Sequence, residues 1–156
     1  DIYPYDGLGT TEKEAVTYGM KGDRLSSLCY QSTREHFAIE TTTSLFRKII
    51  KYPIFIGSKL IGKDYFQKKL NQLVELKEYE DSNYIGCVVW LSGGKKEIFL
   101  RKWFDETVMV PFEKYQFRVP KDYDEVLRHT YGDYMQLPPE KDRIGHHYFK
   151  AYRKDE

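Results

Sequence analysis

Cysteine is nearly absent: the 156 residues hold only Cys29 and Cys87, far apart and in no Cys-x-x-Cys pair. That excludes a disulfide framework and a zinc ribbon, and reads as reduced, packed thiols of a cytosolic protein. Long hydrophobic runs are lacking too. No stretch reaches the about 18 apolar residues of a membrane span, and the opening DIYPYDG has neither the basic nor the apolar region of a signal peptide. An excess of charge of one sign is also missing. Lys and Arg number 25 against 24 Asp and Glu, a net charge of +1, so phosphate-backbone binding to nucleic acid is not the default. No P-loop, nucleophile elbow or GxGxxG turn occurs, and the kinase, serine hydrolase and dinucleotide-binding classes fall with them.

What is abundant is aromatic. Tyrosine (14), phenylalanine (9) and tryptophan (2) make up 16% of a chain that is 40% hydrophobic, enough for one packed domain over residues 1–156. The chain begins at Asp1 without an initiator Met, inside what reads as a strand, so it is expected to be part of something longer.

Periodicity gives an α+β class, a few strands with several packed helices between them. Residues 2–5 read as a strand closed by an Asp6-Gly7 turn, and Thr10 or Thr11 with Glu14 as a capping box. Residues 11–37 follow helical spacing weakened by Gly19 and Gly22, which predicts one interrupted helix or two short ones. Ser44 opens a run with Leu45, Phe46, Ile49 and Ile50 on one face and Arg47, Lys48 and Lys51 on the other, kinked or divided at Pro53. Residues 64–79 form the cleanest amphipathic helix. Residues 84–90 read as a buried strand, 95–104 as a short helix, 107–111 and 115–119 as a hairpin, and 120–131 as a helix opened by Pro120. The segment 131–139, with Gly132 and the double proline, is irregular, and its large side chains predict that it packs on something.

Candidate chemistry starts with carboxylates. Asp122 and Asp124 share the Asp-x-Asp spacing, yet they open a helix, where acidic residues complement the N-terminus. Asp6 reads as a turn former, and Asp1 as a strand carboxylate that alone binds nothing. His146 and His147 are adjacent and point to different sides, which argues against zinc. With Lys141, Arg143 and the Tyr148-Phe149 pair they make a basic, aromatic cluster that either holds a phosphate or caps the core. His36 and His129 read as structural or solvent-facing. Tyr3, Tyr5, Tyr131, Tyr134 and Tyr148 are the candidates for an aromatic cage around a quaternary ammonium, against the alternative of core and rim tyrosines. The cations Arg47, Lys48, Lys51 and Lys59 read either as a solvated face or as a weak contact with an anionic membrane surface.

These residues resemble the LicD family of phosphorylcholine transferases, relatives of the fukutin-type ribitol-phosphate transferases. The first seven residues are similar to the family's D-I-[FY]-P-x-D-G segment. Phe112-Glu113, Val119-Pro120, Tyr123-Asp124, Leu127, Tyr131-Gly132-Asp133-Tyr134-Met135, Leu137-Pro138-Pro139 and His146-His147 fall in the order of its C-terminal signature. The resemblance implies the C-terminal part of a nucleotidyltransferase-like domain in a cytoplasmic enzyme, at most peripheral to the inner face of the membrane. It also implies transfer of phosphocholine, or a similar phospho-alcohol, from a CDP-activated donor to a cell-surface glycan, lipopolysaccharide or teichoic acid precursor. By the same resemblance Asp1 is the catalytic and Mg2+-binding carboxylate, and Tyr3, Asp6, Tyr131, Asp133, Tyr134, Lys141, Arg143, His146 and His147 line the donor or acceptor cleft. The family's Asp-x-Asp strand lies upstream of the DIYPYDG segment, where this chain has no residues, so the chain alone is expected to be inactive. The other reading is a non-catalytic glycan- or partner-binding module of the same ancestry.

Overall fold

The computed structural model describes residues 3–37, 44–91, 94–137, 139–140 and 143. The class is α+β. Strand β1 (Asp6–Gly9) leads into helix α1 (Glu12–Thr33), followed by α2 (Leu45–Ile61) and α3 (Lys63–Val74). Short strands β2 (Tyr84–Gly86) and β3 (Phe99–Leu100) complete an antiparallel sheet in the order β1-β2-β3. A separate hairpin, β4 (Thr107–Phe112) and β5 (Tyr115–Pro120), precedes α4 (Tyr123–Tyr131).

The start of α1 is fixed locally. The Thr11 side chain accepts from the Glu14 amide (3.3 Å), and Glu14 reaches back to the Thr10 amide (3.0 Å), so two otherwise unpaired donors are satisfied. Lys77 closes on Glu14 from beyond α3. The core lies where α1 crosses the sheet: Leu8, Ala15, Leu73, Val88, Leu91 and Ile98 are buried together. The Tyr18 hydroxyl donates to the Leu73 carbonyl and ties α1 to α3.

Several sequence expectations are corrected. The Asp6-Gly7 pair lies within a strand, pairing with Gly86 and Ile85, because Gly7 lets the chain pass against the Glu78 carbonyl, 2.4 Å from where a Cβ would stand. Helix α1 is continuous through Gly19 and Gly22. Both are close-approach points: a Cβ at Gly22 would lie 2.3 Å from the Val88 oxygen. Residues 95–104 are not one helix but two 3-10 turns (Gly94–Glu97 and Arg101–Phe104) around β3, since the backbone at Phe99 and Leu100 pairs with Ile85 and Tyr84. The strand at 84–90 ends at Gly86 and turns back, the Trp90 amide donating to the Cys87 carbonyl. Helix α3 stops at Val74, leaving Leu76 exposed. Ser44 precedes α2 without a side-chain cap, and Pro53 is accommodated inside it. The apolar face of α2 points outward, and only Phe55 and Ser58 are buried in the helix. Tyr131, which ends α4, and Met135 and Leu137 beyond it are exposed, so among the described residues this segment leaves most of its large side chains unpacked, the half-buried Tyr134 excepted.

Candidate functional site

The sheet and α4 enclose one aromatic cleft of about 370 Å³. Tyr3 and Tyr5 enter it from the segment before β1, Trp90 from the turn after β2, Glu97 from the 3-10 turn and Phe99 from β3. Helix α4 closes it with Val126, Leu127, Thr130 and Tyr131, positions that share one face at helical spacing.

The aromatic residues divide into two groups. Tyr5 stacks on Phe99 (5.4 Å between centroids) and meets Phe104 edge-on (5.4 Å), so these rings belong to the core. Tyr3, Trp90 and Tyr131 are 51%, 57% and 70% exposed. They stand at the mouth, where burial gives them no stabilising role. Glu97 also lines the cleft, and its Oε2 is buried without a hydrogen-bond partner among the described residues. A carboxylate oxygen shut off from water without a donor is costly, by about 1–3 kcal/mol, and calls for an explanation. Among the described residues no Lys or Arg lines the cleft.

The charge is felt by its neighbours. Burial, then the thiol of Cys87, Glu97 and Tyr131 raise the Tyr5 hydroxyl above its ordinary pKa. The Cys87 thiol is also pushed up, first by burial and less by Asp6 and Glu97. Cys87 is therefore a protonated, inert thiol at neutral pH. Both cysteines are free.

Aromatic faces around an acceptor with no donor suit a cation that carries no N–H. A quaternary ammonium has that character: ring faces attract it through their quadrupoles, and a carboxylate balances its charge without needing a hydrogen bond.

Of the sequence-predicted residues, Tyr3 and Tyr131 meet in this cleft with Tyr5, while Tyr134 does not. Its hydroxyl donates to Asp124 Oδ1 (2.6 Å), and Asp124 pairs with Arg128 (2.7 Å). Arg128 holds the Asp124 carboxyl below its usual range, Tyr134 adding to the effect. This local group is the helix-charging arrangement read for Asp124, not a ligand set. Asp6 does not line the cleft; burial raises its carboxyl and the Val88 backbone partly opposes this. Asp133 is exposed beyond Gly132, its carbonyl accepting from the Gln136 amide (3.1 Å), and the Arg143 amide donates to the Glu140 carbonyl (3.1 Å). Asp1, Lys141, His146, His147 and Tyr148 lie outside the described residues. His129 is structural: its ring packs on Phe99 and Trp103, with Nε2 3.0 Å from the Lys95 carbonyl.

Sequence reasoning missed Trp90 and Glu97. Trp90 ends an apolar run before Ser92-Gly93-Gly94, a position that hints at a turn-borne side chain, whereas Glu97 in Lys-Lys-Glu looks like any solvated charge. Among the described residues no three His, Cys, Asp or Glu side chains gather as a metal site. The described residues thus offer no such cluster for the magnesium that the resemblance implies, and Asp1 lies outside them.

The chain is similar to the lipopolysaccharide cholinephosphotransferase LicD of Haemophilus influenzae, 32% identical over 154 residues. That match takes in 97% of this chain and 56% of the relative, so the chain spans about half the length of the curated relative. No family model matches, and no solved structure matches. Among the described residues no helix is long and apolar enough to cross a membrane.

Proposed function

This chain belongs to the LicD family, and from that premise we propose that it forms part of a transferase moving phosphocholine from a CDP-activated donor to a glycan or lipopolysaccharide precursor. The observation that carries the reading is the cleft: exposed rings of Tyr3, Trp90 and Tyr131 over the unpartnered Glu97 oxygen.

In this reading the cleft takes the trimethylammonium end of the donor. Glu97 balances the charge, and Tyr131 and Trp90 cover the methyl groups with ring faces. The α4 turn from Val126 to Tyr131 then orients the choline, so that its phosphorus end projects from the mouth. The work assigned to these residues is binding and orientation, which contributes to transfer by holding the reacting group in place. Choline is favoured over ribitol or glycerol on chemical grounds. A polyol needs a hydrogen-bond partner for each hydroxyl, and the described lining is mostly aromatic or apolar, its hydroxyls being those of Thr130 and the tyrosines.

Titration of the chain with tetramethylammonium, phosphocholine and ribitol 5-phosphate, followed by tryptophan fluorescence, tests the reading. The two choline-like ligands are expected to bind and the polyol phosphate to be ignored. Glu97→Gln should weaken phosphocholine about tenfold, and Tyr131→Ala about threefold to fivefold. Equal binding of ribitol 5-phosphate, or a Glu97→Gln chain that binds as the parent does, refutes the assignment.

A further inference from the structure

Helix α2 presents its apolar residues to solvent and its cations beside the face that packs on α1. At about 100° per residue, Leu45, Phe46, Ile49, Ile50, Leu60 and Ile61 fall in one uncharged arc covering about half the helix circumference. All six are exposed, Leu60 by 84% and Phe46 by 72%. A helix in a globular chain ordinarily turns such an arc inward.

Charge says what covers it. In the 17 residues of α2 there are four cations and no carboxylate, although the whole chain is almost neutral. Arg47 borders one edge of the arc and Lys59 the other. None of Arg47, Lys48, Lys51 or Lys59 joins an ion pair among the described residues. We infer that α2 is an interfacial helix that lies on an anionic bilayer, its apolar arc at the acyl boundary and its cations among lipid phosphates. A second copy of the chain fits less well: an isologous contact would place the same cations of both copies against each other. The inference is independent of the choline reading, since α2 supplies no residue to the cleft.

Flotation of the chain with vesicles of equal parts phosphatidylglycerol and phosphatidylethanolamine tests it, with pure phosphatidylcholine vesicles as the neutral comparison. Binding to the anionic vesicles is expected, with little to the neutral ones. The double variant Ile49→Ser, Leu60→Ser should lose about a hundredfold in affinity. Each of Arg47→Gln and Lys51→Gln should cost about fivefold. The substituted positions are exposed, so circular dichroism and Tm are expected to stay at parental values. Hydrogen exchange on the unaltered chain gives an independent readout: vesicles should protect amides of α2. No vesicle binding, binding unmoved by the double variant, or protection elsewhere with α2 unchanged overturns the inference. So does a parent that sediments as a dimer, becomes a monomer in the double variant, and floats no differently. A longer chain that carries further polypeptide and stays off anionic vesicles, while these residues alone float, overturns it too, since α2 would then be the seat of that polypeptide.

Discussion

Asp6 carries an electrostatic cost that its one backbone bond does not remove. Burial raises its carboxyl above the usual carboxylate range, and the amide of Val88 only partly opposes this. In the unfolded chain the group releases its proton near pH 3.9. Above that value the folded state still holds the proton, so the native state binds more protons than the unfolded one and stability falls as pH rises through the window. Asp6→Asn removes the titration while keeping an acceptor for Val88. The urea midpoint of the parent is expected to fall relative to Asp6→Asn as the pH rises past the unfolded-state value, then to run parallel to it once the folded-state carboxyl has ionised. Midpoints that keep a constant difference over the whole range would show that Asp6 does not titrate as argued. Single residues also mark how far the sequence can be read. Tyr3 and Tyr131 were legible because they sit in unusual motif-like segments. Glu97 was not, because its meaning depends on being buried without a donor, a property of its surroundings.

Elements were legible where their pattern is local and obscured where packing decides. The capping box, the hairpin and the amphipathic α3 depend on neighbours a few residues away, and all three form. The interrupted helix was misread because glycine was weighed by propensity alone, whereas Gly19 and Gly22 let α1 approach Leu91 and Val88. Alanine substitutions separate the two effects. Alanine in an open helix position gains about 1 kcal/mol over glycine, and Gly57, with nothing within 4 Å of its would-be Cβ, should show that gain. At Gly22 the new methyl would lie 2.3 Å from a backbone oxygen, so Gly22→Ala should lose about 2 kcal/mol despite its helical propensity. Gly19→Ala meets the flexible end of Leu91 at 2.9 Å and should fall between them. Urea denaturation of the three variants gives the order directly, and a stabilised Gly22→Ala would show that propensity governs α1 after all. The outward apolar face of α2 follows the same logic: its period is plain in the sequence, but no period says which side meets α1.

At the scale of the molecule, apolar surface stays exposed on α2 and on the hairpin, where Met109, Phe112, Tyr115 and Phe117 are exposed. The described core therefore serves to place one cleft and leaves much apolar surface uncovered. Binding and turnover should accordingly separate. Transfer from a pyrophosphate donor needs its charge offset, and a magnesium ion that does so is held by one or two protein carboxylates together with the donor's phosphates. Among the described residues no three His, Cys, Asp or Glu side chains gather, while the rings and the carboxylate of the aromatic cleft are present. The 156 residues are thus expected to bind phosphocholine yet to release no CMP from CDP-choline in the presence of magnesium, assayed by chromatography of the nucleotide. Binding without release is the signature of a substrate-holding part whose catalytic carboxylates lie elsewhere. CMP release that stops on adding a chelator would instead place the metal ligands within this chain, among residues such as Asp1 that lie outside the described ones.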